Sequence, residues 1–253
     1  MSSPWSKLRY VPPNFFTASS MLLGLGSVTK SAEGDFTLAA WMILWGVLLD
    51  KLDGSAARLF RASSEFGVQA DSFADFVVFG IAPAALAYFR LRGVVSQPLL
   101  LAAAGAYTLC CAGRLARFNI STPPMGDRVF YGIPTTVMGG FLASGYLTWV
   151  NRNLPVESLA PAPYLLLVCA LLMVSTVKLP KLKPSKSLPF NLFLFANVIA
   201  AYVLAPLRLY PEYLFGCCVL FVTGGVGYYL VWPPTPDEPE SESAPGTEAR
   251  VTP

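Results

Sequence analysis

Histidine is absent from this chain of 253 residues. That excludes imidazole acid–base catalysis, histidine-ligated zinc and phosphohistidine chemistry on its own side chains. Charge is scarce as well. Only 13% of residues are Asp, Glu, Lys or Arg, against about a quarter in an ordinary soluble domain. The net charge of +3 comes with no basic stripe, which argues against nucleic acid as a partner. A few cations beside anionic lipid explain it better. The five cysteines, Cys110, Cys111, Cys169, Cys217 and Cys218, lie in apolar stretches and form no CxxC pair. They read as small buried hydrophobes, not as a disulfide framework. The opening MSSPWSKLRYVPPNFFT lacks a signal-peptide cleavage pattern and leads into an apolar segment expected to be retained.

Apolar residues dominate instead, at 54%. Runs of roughly 20 such residues suffice to cross a bilayer as helices. The pattern predicts helices near 14–31, 37–60, 67–90, 97–118, 130–150, 160–177, 189–207 and 212–231. The expected fold is an all-α integral membrane protein, a bundle of about eight transmembrane helices within residues 1–231. Thr17, Ser19, Ser20, Gly24 and Gly26 dilute the first segment, although small residues permit close helix approach in lipid. The remaining residues, 232–253, are rich in Pro, Glu and Ser and read as a disordered tail. With eight spans both termini share one side. Most cations fall on that side, leaving Lys30, Arg90, Arg92, Arg152 and Arg208 opposite. The bias places both termini in the cytoplasm of a multi-pass inner-membrane protein.

Against this apolar background stand Asp50, Asp53, Asp71 and Asp75, in the run DKLDGSAARLFRASSEFGVQADSFAD. Carboxylates at or near membrane depth are costly and call for a partner or a function. Spacings of three and four residues put each pair on one helix face. The short connector RLFRASSEFG lets the two helices return antiparallel, so the pairs meet at similar depth. Four carboxylates without imidazole or thiolate suit magnesium or manganese. Two such ions can clamp a diphosphate and stabilise charge on its leaving phosphate. Gly54 and Ala57 leave room on the helix face for a bulky ligand, and Gly67 opens space one turn before Asp71. Arg58 offers a planar fork to a phosphate or a carboxylate. A purely structural Asp–Arg network and a carboxylate-lined ion pathway are the competing readings of the same residues.

The run D-x2-D-G-x2-A-R-x8-G-x3-D-x3-D resembles the signature of the CDP-alcohol phosphotransferase family at every fixed position. Members are integral membrane enzymes, commonly dimeric, that move a phosphatidyl or related group from a CDP-linked lipid to an alcohol, or a phosphocholine-type group from CDP to a lipid alcohol. The resemblance implies that Asp50, Asp53, Asp71 and Asp75 hold two Mg2+ or Mn2+ ions. It also implies that Asp75 is the general base and that Gly54, Ala57 and Arg58 line the cytidine diphosphate. The entry VPPNFFTASSMLLG adds Asn14 and Thr17 as cytidine-side candidates, with Asp53 and Gly67 completing that set.

RLARFN, FYGIPTT and MVSTVKLPKLKPSK are similar to segments of the membrane-embedded bacterial and archaeal phosphatidylserine synthases, over roughly residues 10–230. At IPTT the match is imperfect because of Thr136. This narrower resemblance implies CDP-diacylglycerol and L-serine as substrates. Arg117 and Asn119 lead the acceptor-side candidates, with Arg114 for a lipid phosphate or carboxylate and Lys178 and Lys183 behind them. Choline, glycerol phosphate and inositol phosphate are the rival acceptors.

Overall fold

The computed structural model describes residues 11–60, 64–120, 129–180 and 188–231. They form eight helical segments: α1 (Val11–Glu33), α2 (Phe36–Leu59), α3 (Glu65–Leu91), α4 (Gln97–Ile120), α5 (Thr135–Asn151), α6 (Ala162–Val174), α7 (Leu188–Leu204) and α8 (Pro211–Val231). Among the described residues three segments are long and apolar enough to cross a membrane: Glu65–Leu91, Gln97–Ile120 and Val156–Val174. The tail beyond residue 231 lies outside the described residues.

Two of the expected helices are shorter than their apolar runs. The fifth starts at Thr135, because Val129–Tyr131 forms a strand, β1. The sixth stops at Val174, and Lys178–Pro180 forms β2, antiparallel to β1 with Phe130 opposite Leu179. Gly132 makes this turn possible. Its φ is +68°, and a Cβ there would sit 2.2 Å from the Met173 carbonyl oxygen. Only glycine fits both conditions.

Polar side chains set the helix entries. Asp35 Oδ1 accepts from the Leu38 amide at 3.0 Å and starts α2 two residues after α1 ends. Ser64 Oγ accepts from the Gly67 amide at 3.0 Å and starts α3. Each satisfies one of the amides that a helix N-terminus leaves open.

The two-residue connection folds α1 back along α2. Ser20 Oγ donates to the Gly46 carbonyl at 3.4 Å, and Ser27 Oγ donates to the Ala39 carbonyl at 2.9 Å. The small residues that dilute the first segment are therefore its contact face. A Cβ on Gly46 would approach Val78 Cγ1 to 2.5 Å, and one on Gly24 would meet Val77 and Val78 at 2.9 Å. Helices α1, α2 and α3 meet there at backbone distance, as small residues allow in lipid.

Helix α3 is not regular throughout. Phe76–Ile81 is a π-turn beginning immediately after Asp75, and the Ala82 amide reaches back to Val77. Such turns widen the backbone by a residue and need outside partners. One partner is Tyr107 of α4, fully buried, whose hydroxyl donates to the Phe79 carbonyl at 2.8 Å. Tyr107→Phe removes that donor and leaves a buried carbonyl short of a bond. We expect a loss of about 1 kcal/mol, read as a lower thermal unfolding midpoint in detergent.

Two buried apolar clusters hold the bundle. One joins α2, α3 and α5 through Ile43, Leu44, Val78, Phe79, Ala143 and Leu147. The other joins α4, α5 and α6 through Tyr107, Cys111, Met138, Leu166, Cys169 and Met173. All five cysteines are free thiols, in keeping with their reading as hydrophobes. Large apolar side chains such as Leu22, Leu109, Leu171, Phe193 and Leu220 point outward. So many exposed large apolar side chains suit a lipid environment.

Candidate metal and substrate site

One end of the bundle gathers the chemistry: the start of α1, the end of α2, the start of α3, the end of α4 and the start of α5. Asp50 and Asp53 leave the last turns of α2 on one face. Asp71 and Asp75 leave the first half of α3 on the facing side. Asp50, Asp53 and Asp71 each present a carboxylate oxygen within 4.8 Å of the other two. The Asp75 carboxyl meets that of Asp50, and the Asp71 carboxyl meets that of Asp53. The antiparallel return expected from the short connector thus places both pairs at one depth.

Like charges this close repel. Two unit charges 4 Å apart cost about 4 kcal/mol at an effective dielectric near 20. Among the described residues no Lys or Arg comes within ion-pair distance of the four; the ion pair found there joins Lys30 and Glu33. A cluster so arranged needs shared protons or a cation. The donor set fits a hard divalent ion: several converging carboxylate oxygens, with no sulfur or imidazole among them.

Hydroxyls orient two of the acids. Thr17 Oγ1 of α1 donates to Asp53 Oδ2 at 3.0 Å, and Thr136 Oγ1 of α5 donates to Asp50 Oδ2 at 3.3 Å. Neither pairing follows from local spacing, since the partners are 36 and 86 residues apart. Thr136, the position where the synthase-like pattern is imperfect, gains a specific contact here. Thr136→Val keeps the shape but removes the hydroxyl. We expect a roughly five- to tenfold fall in turnover, equivalent to about 1 kcal/mol for one hydrogen bond, with unfolding temperature little changed.

The other candidates fall around this centre. Asn14 is half-buried near Gly67, where an added Cβ would stand 4.0 Å from its Oδ1. Gly54 faces open space, with nothing within 4 Å of a Cβ built there. Ala57 and Arg58 belong to α2, but their side chains lie outside the described residues, as does that of Lys178 in β2. Lys183 lies outside the described residues altogether.

The acceptor-side residues separate into two kinds. Arg114 is buried, with 7% of its surface exposed. It donates to Thr135 Oγ1 at 3.4 Å, its Nε has no partner among the described residues, and Asp75 lies within its electrostatic range. Arg117 donates to the carbonyls of Val174, Met173, Ser175 and Tyr131 at 2.9–3.4 Å. It ties the C-terminal end of α6 to β1, where a cation also favours the helix dipole. Asn119 bonds Ser72 at 2.9 Å and Gln69 at 3.4 Å, fixing the end of α4 to the start of α3. Thr135, Ser72 and Gln69 carry no signal in the sequence that marks them for these roles.

A bundle end with converging carboxylates has the donor set of a divalent-cation site, and comparisons with known proteins say which class of protein carries it. The profile described as CDP-alcohol phosphatidyltransferase matches residues 10–224. This chain belongs to that family, and it is a membrane protein. Among its relatives is the CDP-diacylglycerol–serine O-phosphatidyltransferase of Helicobacter pylori, 35% identical over 192 residues, covering 75% of this chain and 79% of that protein. The enzyme of the same name from Bacillus subtilis is 32% identical over 181 residues, covering 70% and 93%. Archaetidylserine synthase of Methanothermobacter thermautotrophicus is 31% identical over 176 residues, covering 67% and 69%.

Proposed function

We propose that this protein transfers a phosphatidyl group from CDP-diacylglycerol to the hydroxyl of L-serine, giving phosphatidylserine and CMP. The observation that carries the reaction type is the group of three converging carboxylates with Asp75 against Asp50. The acceptor is supported by the relatives' names, which share serine while differing in the lipid.

In this reading the serine oxygen forms a bond to the lipid-linked phosphorus, and the bond from that phosphorus to the CMP oxygen breaks. Asp75 takes the hydroxyl proton as attack proceeds. When bound, two Mg2+ or Mn2+ ions held by Asp50, Asp53, Asp71 and Asp75 neutralise charge on the diphosphate. Thr17 and Thr136 keep Asp53 and Asp50 in position. Asn14, Thr17, Asp53, Gly54, Ala57, Arg58 and Gly67 border the cytidine diphosphate. Arg114, with its unpartnered Nε, receives an anionic oxygen of the acceptor or the lipid phosphate. Arg117 and Asn119 border the acceptor side while holding the helix ends around it, and Lys178 and Lys183 add positive charge there. The eight helices lie in the inner membrane with both termini cytoplasmic, which puts the aspartates at the inner leaflet.

An acceptor screen with CDP-diacylglycerol and Mg2+ or Mn2+, reading lipid products by mass, tests this directly. Phosphatidylserine with serine alone is the expected result. Product with choline, glycerol phosphate or inositol phosphate in its place would overturn the acceptor. No transfer to any alcohol, together with ion flux in vesicles, would overturn the reaction. Arg114→Ala is expected to raise the KM for serine more than tenfold, since a charged hydrogen bond contributes about 1.5–3 kcal/mol. An unchanged serine dependence removes it from the acceptor site.

A further inference from the structure

At the end of the bundle away from the aspartates lies a cavity of about 200 Å3 between α3, α5, α6 and α8. Pro83, Leu86, Leu142, Leu165, Leu166 and Phe215 make its walls apolar. Arg90 is the charged residue among its lining. It stands 15 residues beyond Asp75 on α3, roughly 22 Å along the axis at about 1.5 Å per residue. The cavity is therefore separate from the carboxylate centre.

Arg90 is held in an unusual way. Its guanidinium lies 5.4 Å from the centre of the Phe36 ring and 5.2 Å from that of Trp149. The Tyr146 hydroxyl accepts a hydrogen bond from it, and Tyr146 in turn stacks on Trp149. Ring faces attract the cation without consuming its N–H donors. Among the described residues no carboxylate comes within 4.0 Å of Arg90, and its buried Nε has no hydrogen-bond partner. Aromatic rings and the Tyr146 hydroxyl position the charge, and no described carboxylate pairs with it, at the rim of a space that only hydrocarbon fills favourably. An apolar cavity beneath one fixed cation is complementary to a molecule with an anionic head and an apolar tail.

We propose that this cavity is a binding site for an anionic phospholipid, with an acyl chain between α3, α5, α6 and α8 and its phosphate on Arg90. The site does not depend on the transfer reaction. Arg90 is at the C-terminal end of α3, so the lipid belongs to the leaflet opposite the aspartates. It wedges four helices together where their own side chains leave a gap, and its loss costs stability and not chemistry.

Native mass spectrometry of the full-length protein from mixed vesicles of phosphatidylglycerol and phosphatidylcholine tests the assignment. The wild type is expected to retain a single phosphatidylglycerol per chain through mild detergent. Arg90→Gln is expected to lower the preference for the anionic lipid roughly fivefold, the worth of one cation near a lipid phosphate. Ala162 also lines the cavity, and Ala162→Phe, which fills it, is expected to abolish retention of either lipid while transfer activity persists. Equal retention by wild type and Ala162→Phe would overturn the site. So would no retained lipid, or a second copy of the chain covering the cavity. An unchanged lipid preference in Arg90→Gln would remove the phosphate from Arg90.

Discussion

Asp75→Asn is expected to abolish transfer while leaving CDP-lipid binding largely intact. The amide keeps the size of the carboxyl and can still offer one oxygen, but it cannot accept the proton from an attacking hydroxyl. General-base catalysis is typically worth 10²–10⁴-fold, and loss of a negative ligand adds to that. Asp75 is the right residue to test because it stands apart from the other three. Asp50, Asp53 and Asp71 converge on one another, while Asp75 touches the set through Asp50. It is also deeper in the bundle, one turn further along α3 than Asp71. Single-turnover measurements at saturating CDP-lipid, with CMP release as readout, separate the chemical step from binding. A rate equal to the wild type would end the assignment of Asp75 as base.

Asp71→Asn is expected to move stability in two opposite directions, depending on the ion. In chelator the wild type holds its acids together with no described cation within ion-pair distance of them. Removing one carboxylate relieves repulsion, so the variant should unfold at a higher temperature than the wild type. With Mg2+ or Mn2+ added the order should reverse. An ion that binds only the folded state stabilises by about 2.7 kcal/mol at a hundredfold excess over its Kd, and the variant loses most of that. Differential scanning in a matched detergent, with and without the ion, gives all four midpoints. Equal stabilisation of both proteins by the ion would show that Asp71 is not a ligand. This readout is independent of the acceptor and of turnover.

Much of this arrangement could be read from the chain itself, for a physical reason. A bilayer demands long apolar helices, so their positions are written in composition. The eight expected segments all correspond to helices, within a few residues at most ends. The acids were legible because charge is so expensive in such surroundings that four carboxylates at helical spacing stand out. The Thr17–Asp53 and Thr136–Asp50 bonds were not legible, since they depend on helices meeting in space. The β1–β2 ladder was not legible either: β1 overlaps the start of the run expected as helix from 130, and β2 begins just past the run expected to end at 177. Arg117 illustrates a different difficulty. Its sequence context marks a cation near a phosphate-handling site, whereas its guanidinium is spent on four main-chain oxygens. Position in the chain specifies charge, but not which oxygens receive it.

The π-turn between Asp75 and Ala82 also has a developmental meaning for the fold. One additional residue in a turn rotates everything before it by about 100° relative to everything after. The acid-bearing portion of α3 and its oily remainder can therefore be aimed at different neighbours without a break in the helix. Excision of a single residue from Phe76–Ile81 would restore uniform winding and swing both carboxylates away from α2, while the far half of the helix kept its seat. Chemistry and anchorage in this helix are in that sense set by separate dials.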